Sequence, residues 1–314
     1  MSNRRLLADA RRWAAQILVV LLALLMVPAT VLLAAEPAST ATETENSFLR
    51  LVRNDDGDVL SMDTAIVSYT SDDPAQEGLV VDLVGVVHIG EKQYYEDLND
   101  AFEDYDVVLY ELVAPEGTRV PAGGRREGGG HPISMLQTGM QDMLGLEYQL
   151  EQIDYQRENF VHADMSPDEL AAAMADRGEN FLTMFFRMMG RAIAMQAKQA
   201  AENGGRPGTS DAEFLLALID PNRSQVLKRL MAEQFEDLES AMSVIEGPDG
   251  SSLISDRNAK AFEVLAEQIE AGQKKIAVFY GAGHMPDMEQ RLEEDFGLTR
   301  GESRWLSAWV IAED

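Results

Sequence analysis

Two apolar runs that stop in the same way constrain the fold of this chain more than any other feature. Val80-Val81-Asp82-Leu83-Val84-Gly85-Val86-Val87-His88 and Ile276-Ala277-Val278-Phe279-Tyr280-Gly281-Ala282-Gly283-His284 each read as a buried strand, a Gly-x-x-His ending and a turn. Runs with so little polar alternation suit strands covered on both faces, as in the parallel sheet of an α/β protein. Between them, the segment from Gln93 carries Tyr94, Tyr95, Leu98 and Phe102 at helical spacing, and Val107-Val108-Leu109-Tyr110-Glu111-Leu112-Val113 is a further strand. This β-α-β order predicts parallel pairing through a crossover helix. Glu111 is then an anomaly, a carboxylate near the C-terminal end of a buried strand.

The rest of the chain is arranged around these strands. Phe48 to Arg53 and Ala65 to Tyr69 are short, β-prone and separated by the turn chemistry of Asn54-Asp55-Asp56-Gly57-Asp58, which predicts a hairpin or edge strands. Pro115 to Pro132 is polar and glycine-rich and reads as a mobile loop or lid, with His131 exposed and without a role. From about Ile133 to Ile245 the signal is helical. Ser166, Pro167 and Glu169 form a capping box with proline at the first helical position, and Phe181, Met184, Phe185, Met188, Ala192 and Met195 line one stripe of a long helix. Asp256 to Glu270 is a further helix that leads directly into the strand at Ile276. After a last helix around Asp287 to Phe296, Arg304 to Ala312 reads as a closing antiparallel strand. The expected fold is therefore α/β: a central, mostly parallel sheet with flanking helices, an N-terminal hairpin or edge strands, and a large helical insertion over about 133–245.

Composition narrows the functions open to such a fold. With 26 Lys+Arg against 54 Asp+Glu, the formal net charge of -28 repels phosphate backbones, so nucleic acid is not an expected partner. The absence of cysteine removes disulfides, thiolate metal sites and a cysteine nucleophile, leaving His, Asp and Glu as the metal ligands. Arg4, Arg5, Arg11 and Arg12 precede an uncharged, mostly apolar run from Trp13 to Ala35, long enough to span a bilayer. Residues 1–35 are expected to act as a signal anchor or a cleaved signal peptide, residues 36–47 as a polar linker, and 48–314 as an exported domain, membrane-anchored if the helix is retained and secreted or periplasmic if it is cut.

Ligands of open α/β sheets gather outside the carboxyl ends of the strands, where His88, Glu111 and His284 are expected. A helix preceding a parallel strand runs against it, so Arg257 and Asn258, at the start of the Asp256 helix, are expected beside them. Two imidazoles and a carboxylate form a ligand set of hydrolytic metal sites, and Gly85, Gly281 and Gly283 would let backbones approach such a pocket. A buried Glu111 needs a cationic partner, either a metal or Arg257. His162, followed by Asp164, reads either as an additional ligand or as a histidine at a helix boundary.

Gly85-Val86-Val87-His88, Tyr110-Glu111, Asp256-Arg257-Asn258 and Gly281-Ala282-Gly283-His284, in this order and with a helical insertion between, resemble the TraB/TIKI family. The likeness runs from about Leu79 to Ala312. It implies a fold related to erythromycin esterase and the haem-binding ChaN proteins, and a metal-dependent peptidase acting on peptides or protein N-termini with manganese or cobalt, zinc being a further candidate. In that carry-over His88, His284 and Glu111 bind metal, and Glu111, Arg257 and Asn258 are catalytic. Alternatives of other classes are a non-catalytic binder of haem or a peptide pheromone, and a membrane-tethered interaction protein.

Overall fold

Alternate residues of the central strands feed two separate cores, which is why the strands read as unbroken apolar runs. The computed structural model describes residues 47–115, 117–121, 123, 143–178, 216–217, 220–233 and 250–312. The Trp13 to Ala35 run, His131 and the Phe181 to Met195 stripe lie outside the described residues. Nine strands are found among those described: β1 (Leu49–Arg53), β2 (Val59–Thr70), β3 (Val80–Val86), β4 (Ile89–Gly90), β5 (Val107–Tyr110), β6 (Glu147–Tyr148), β7 (Phe160–His162), β8 (Lys275–Gly281) and β9 (Thr299–Val310). The helices are α1 (Lys92–Phe102), α2 (Gln149–Gln152), α3 (Pro167–Asp176), α4 (Ser255–Glu270) and α5 (Met285–Glu294).

On one face of the main sheet Val84 and Val86 of β3, Val108 and Tyr110 of β5, and Ala277 and Phe279 of β8 pack with Tyr94, Tyr95, Leu98 and Phe102 of α1. On the other face Val81 and Leu83, Val107 and Leu109, and Ile276, Val278 and Tyr280 meet Ala261, Phe262 and Leu265 of α4 and Met285, Met288 and Leu292 of α5. The molecule is thus three-layered, α/β/α, and burial of these side chains at about 1.5–3 kcal/mol each is the main force holding the layers together. Leu227 and Leu230, in the helical stretch 223–233, extend the first core, so the described end of the insertion packs on the α1 side.

The main sheet has the order β1-β2-β3-β8-β5-β7, with β9 on the other side of β2. β3, β8, β5 and β7 are mutually parallel, whereas β1, β3 and β9 all pair antiparallel with β2. The sheet is mixed, parallel only in the half that carries the strand ends of interest, and this corrects the expectation of a mostly parallel sheet. β2 is the reason. It runs for 12 residues, long enough to pair β1 and then β3 along one edge and β9 along the other. Its first half looks polar in sequence because Asp63 sits in the strand, where it accepts from Arg50 at 3.3 Å and from Ser61 at 2.8 Å.

A second correction concerns the insertion. Phe160–His162 is not helical but forms β7, paired with Val108 to Tyr110 at the edge of the main sheet. Three residues are too few to show a period of two, so nothing in the sequence marked them. β6 pairs with β4 in a small second sheet, Ile89 opposite Tyr148 and Gly90 opposite Glu147. Ser166 caps α3 as expected: it accepts from the Glu169 amide at 3.2 Å, and Glu169 accepts from the Ser166 amide at 2.7 Å.

Candidate functional site

Register brings three chain ends to one edge of the sheet. β8 lies between β3 and β5, with Val86 opposite Gly281 and Tyr110 opposite Phe279. His88 therefore leaves β3, Glu111 leaves β5 and His284 follows β8 around the same place. Gly281 is the centre of it. A Cβ built there would lie 3.4 Å from Glu111 Oε2 and 3.8 Å from both His88 Nε2 and His284 Cδ2, so the glycine keeps open the space these groups share. Gly85 has a different part from the one expected: its missing Cβ would stand 3.5 Å from Met285 and 3.6 Å from Phe48, inside the core rather than the cleft.

Glu111 is anchored from three sides. Its Oε1 accepts from Arg257 Nη2 at 2.6 Å, its Oε2 from the Gly281 amide at 2.8 Å, and its own amide donates to Phe279 O at 3.1 Å. Burial alone would raise the carboxyl pKa, but the Arg257 charge and the Gly281 amide outweigh it and hold Glu111 well below the usual carboxylate range. Arg257 is itself buried. It donates through Nε and Nη2 to both oxygens of Asp164, at 2.9 and 2.6 Å, while Nη1 makes only long contacts of 3.4 Å with Leu253 O and His284 Nε2. Burial works against its charge, and Asp164 and Glu111 more than restore it, so Arg257 is cationic throughout the accessible pH range.

Asn258 sits behind His284 and is fully buried. Its Nδ2 donates to His284 O at 3.1 Å and to Asp287 Oδ2 at 2.7 Å. Both of those atoms can only accept, so the carboxamide orientation is settled and its Oδ1 faces His284 Nδ1 at 2.6 Å as an acceptor. His284 therefore carries its proton on Nδ1 and leaves the Nε2 lone pair to the long contact from Arg257 Nη1 at 3.4 Å, with Glu111 Oε1 3.6 Å away. Desolvation leads the effects on this ring and lowers its pKa to about 4, so it is neutral at physiological pH. His88 stands exposed at the mouth, its Nδ1 2.8 Å from Gln149 Oε1.

The structure thus brings together His88, Glu111, Arg257, Asn258 and His284. His162 is held elsewhere. Its Nε2 donates to Leu112 O at 2.6 Å, its ring lies 5.6 Å from that of Tyr110, and Asp164, the residue expected to orient it, turns both oxygens to Arg257. Asp164, expected beside His162, serves Arg257 instead, and Gln149, Tyr155 and Asp287 complete the network without having been singled out as site residues. None of them belongs to a repeated pattern, and only Asp164, a charged residue beside an apolar segment, offered any signal.

In kind, the donors suit a divalent cation: two imidazoles whose Nδ1 atoms face amide oxygens, a carboxylate, and a glycine where a side chain would fill the gap. In placement they have not closed on one. Among the described residues no three His, Asp or Glu side chains stand near enough to share an ion, and the positive charge balancing Glu111 is that of Arg257. Comparison with protein-family models, curated proteins and solved structures finds no match to this chain.

Proposed function

We propose that this chain is an exported hydrolase of peptide or protein amide bonds, similar to the TraB/TIKI family, working where β3, β5 and β8 end. A divalent cation, manganese or cobalt first and zinc as a further candidate, would be held by His88, His284 and Glu111. The observation that carries this reading is the pair of histidines, each with Nδ1 on a carboxamide oxygen, facing one carboxylate across Gly281. When bound, the ion would supply Lewis acidity and lower the pKa of water.

The side chains divide the remaining work. His284 is neutral above about pH 4 and offers a lone pair rather than a charge. Glu111, with its pKa held so low, is a weak proton acceptor, so its part is to bind and to balance charge. Arg257 fixes the Glu111 rotamer, and its loosely held Nη1 is the donor left for a carbonyl oxygen as charge develops on it. Asn258 holds His284 in the productive tautomer. Export rests on the arginines and apolar run of residues 1–35; among the described residues no helix is long and apolar enough to cross a membrane.

A second reading, a non-catalytic binder of haem or a peptide in the same cleft, has one observation in its favour: Arg257 neutralises Glu111 at 2.6 Å without an ion. Metal content separates the two. After manganese or cobalt loading, the wild-type chain should retain metal near one equivalent and His88→Ala should lose it. Equal and negligible metal in both would sink the hydrolase reading and leave the binder.

A further inference from the structure

We infer that Gln149, held by Tyr155, is the positioning residue of His88: it keeps the His88 proton on Nδ1, so that the Nε2 lone pair faces the space over Gly281. The consequence for catalysis rests on the hydrolase reading above; the tautomer itself does not.

The placement begins in the backbone. β4 and β6 pair through Ile89 and Tyr148, and the next residue along, Gln149, donates its amide to His88 O at 3.0 Å. Gln149 is therefore locked in register with His88 by main-chain bonds, 61 residues away in sequence. Its side chain is buried, whereas the imidazole it meets is exposed. An exposed histidine is ordinarily free to rotate and to exchange tautomers. This one has a buried carboxamide oxygen 2.8 Å from Nδ1.

The other end of the carboxamide meets Tyr155, whose hydroxyl accepts from it. Gln149 Nε2 donates to the Tyr155 hydroxyl at 2.8 Å, which leaves Oε1 for His88. Tyr155 cannot easily move aside. It is buried, and its ring centroid lies 5.1 Å from Tyr110, 5.8 Å from Phe160 and 6.4 Å from Phe279, all in the core beneath the strand ends. An oxygen at Nδ1 accepts only if Nδ1 bears the proton, and the ring's other nitrogen is then an open lone pair. The opposite orientation, with Tyr155 donating to Oε1 and Nε2 donating to His88, would put the proton on His88 Nε2 and close that nitrogen to an ion.

Asn258 does the same for His284 from the other side of the cleft. The two histidines are thus served by two carboxamides from unrelated parts of the chain, one within the Arg-Asn pair and one, Gln149, in no motif. Both leave Nε2 as the working nitrogen.

The test reads the tautomer directly and needs neither substrate nor metal. The full-length chain is labelled with 15N-histidine, and long-range imidazole spectra are recorded near about pH 8, where free histidine is neutral. His88→Gln assigns the ring. Wild type is expected to show Nε2 at the unprotonated, downfield position and Nδ1 protonated. Gln149→Leu should lose that signature and average both tautomers, Gln149→Glu should keep it, and Tyr155→Phe should lose it in part because the carboxamide is freed to flip. A protonated Nε2 in wild type, or an unchanged signature in a folded Gln149→Leu chain, overturns the inference. If Gln149→Leu does not fold, wild type and Tyr155→Phe decide. Failure to find hydrolysis would leave these spectra as informative as before.

Discussion

Arg257 balances two buried carboxylates at once, and this makes it the residue on which the cleft's electrostatics turn. Arg257→Met would leave Glu111 and Asp164 buried without a counter-charge, at a cost of about 3–5 kcal/mol at neutral pH. With the guanidinium gone, burial would raise the Glu111 carboxyl pKa, so the deficit should shrink as pH falls and that group protonates; chemical denaturation at several pH values checks both parts. His284 moves the opposite way. Burial lowers its pKa from 6.5 to about 4, so between these values the unfolded chain takes up a proton that the folded one refuses, and stability falls as pH drops through that window. His284→Gln removes the effect. It should flatten the acid slope by roughly 1–3 kcal/mol between pH 7 and pH 4, read from denaturation midpoints. Asn258→Ala should lower manganese or cobalt affinity about 10–100-fold in calorimetric titration, because His284 loses the acceptor that fixes its tautomer.

At the scale of elements, the cleft exists because β8 inserts between β3 and β5 and ends in a glycine. Gly281 has φ -53, an ordinary value for any residue, so Gly281→Ala should fold with little change in melting temperature while its methyl occupies the space between Glu111 and the two histidines. The expected result is loss of metal binding and hydrolysis without loss of stability. Ser166→Ala, by contrast, removes a helix cap and should cost about 0.5–2 kcal/mol in stability. Elements with strong local signals were legible from the sequence: the Ser166 cap, the helical faces of α1 and α4, and the apolar runs of β3 and β8. What escaped was decided by partners distant in the chain. β7 is three residues long and exists because β5 offers it an edge, and the first half of β2 is polar in sequence because Arg50 and Ser61 satisfy Asp63. The same distinction holds in the site. His88 and His284 announce themselves by a repeated Gly-x-x-His ending, whereas Gln149 acquires its place through the β4–β6 pairing and Tyr155 through the aromatic core around Tyr110.

For the whole molecule, the described residues form a three-layer α/β/α body with the polar network at the edge where its parallel strands end, in a chain whose acidic residues outnumber the basic, 54 to 26. The apolar run of residues 13–35 would place that body outside the cytoplasm, where a peptide substrate would meet it in solution or at the membrane surface. The proposed activity is hydrolysis of peptides at this cleft with a metal held by both histidines. Its most direct test is cleavage of a mixed peptide library by metal-depleted protein after manganese or cobalt is returned, with wild type, His88→Ala and His284→Ala run side by side. New peptide termini are expected for wild type only with metal present, and for neither variant under any condition. Cleavage that persists without metal or in both variants, or no cleavage by wild type with either metal, would contradict it.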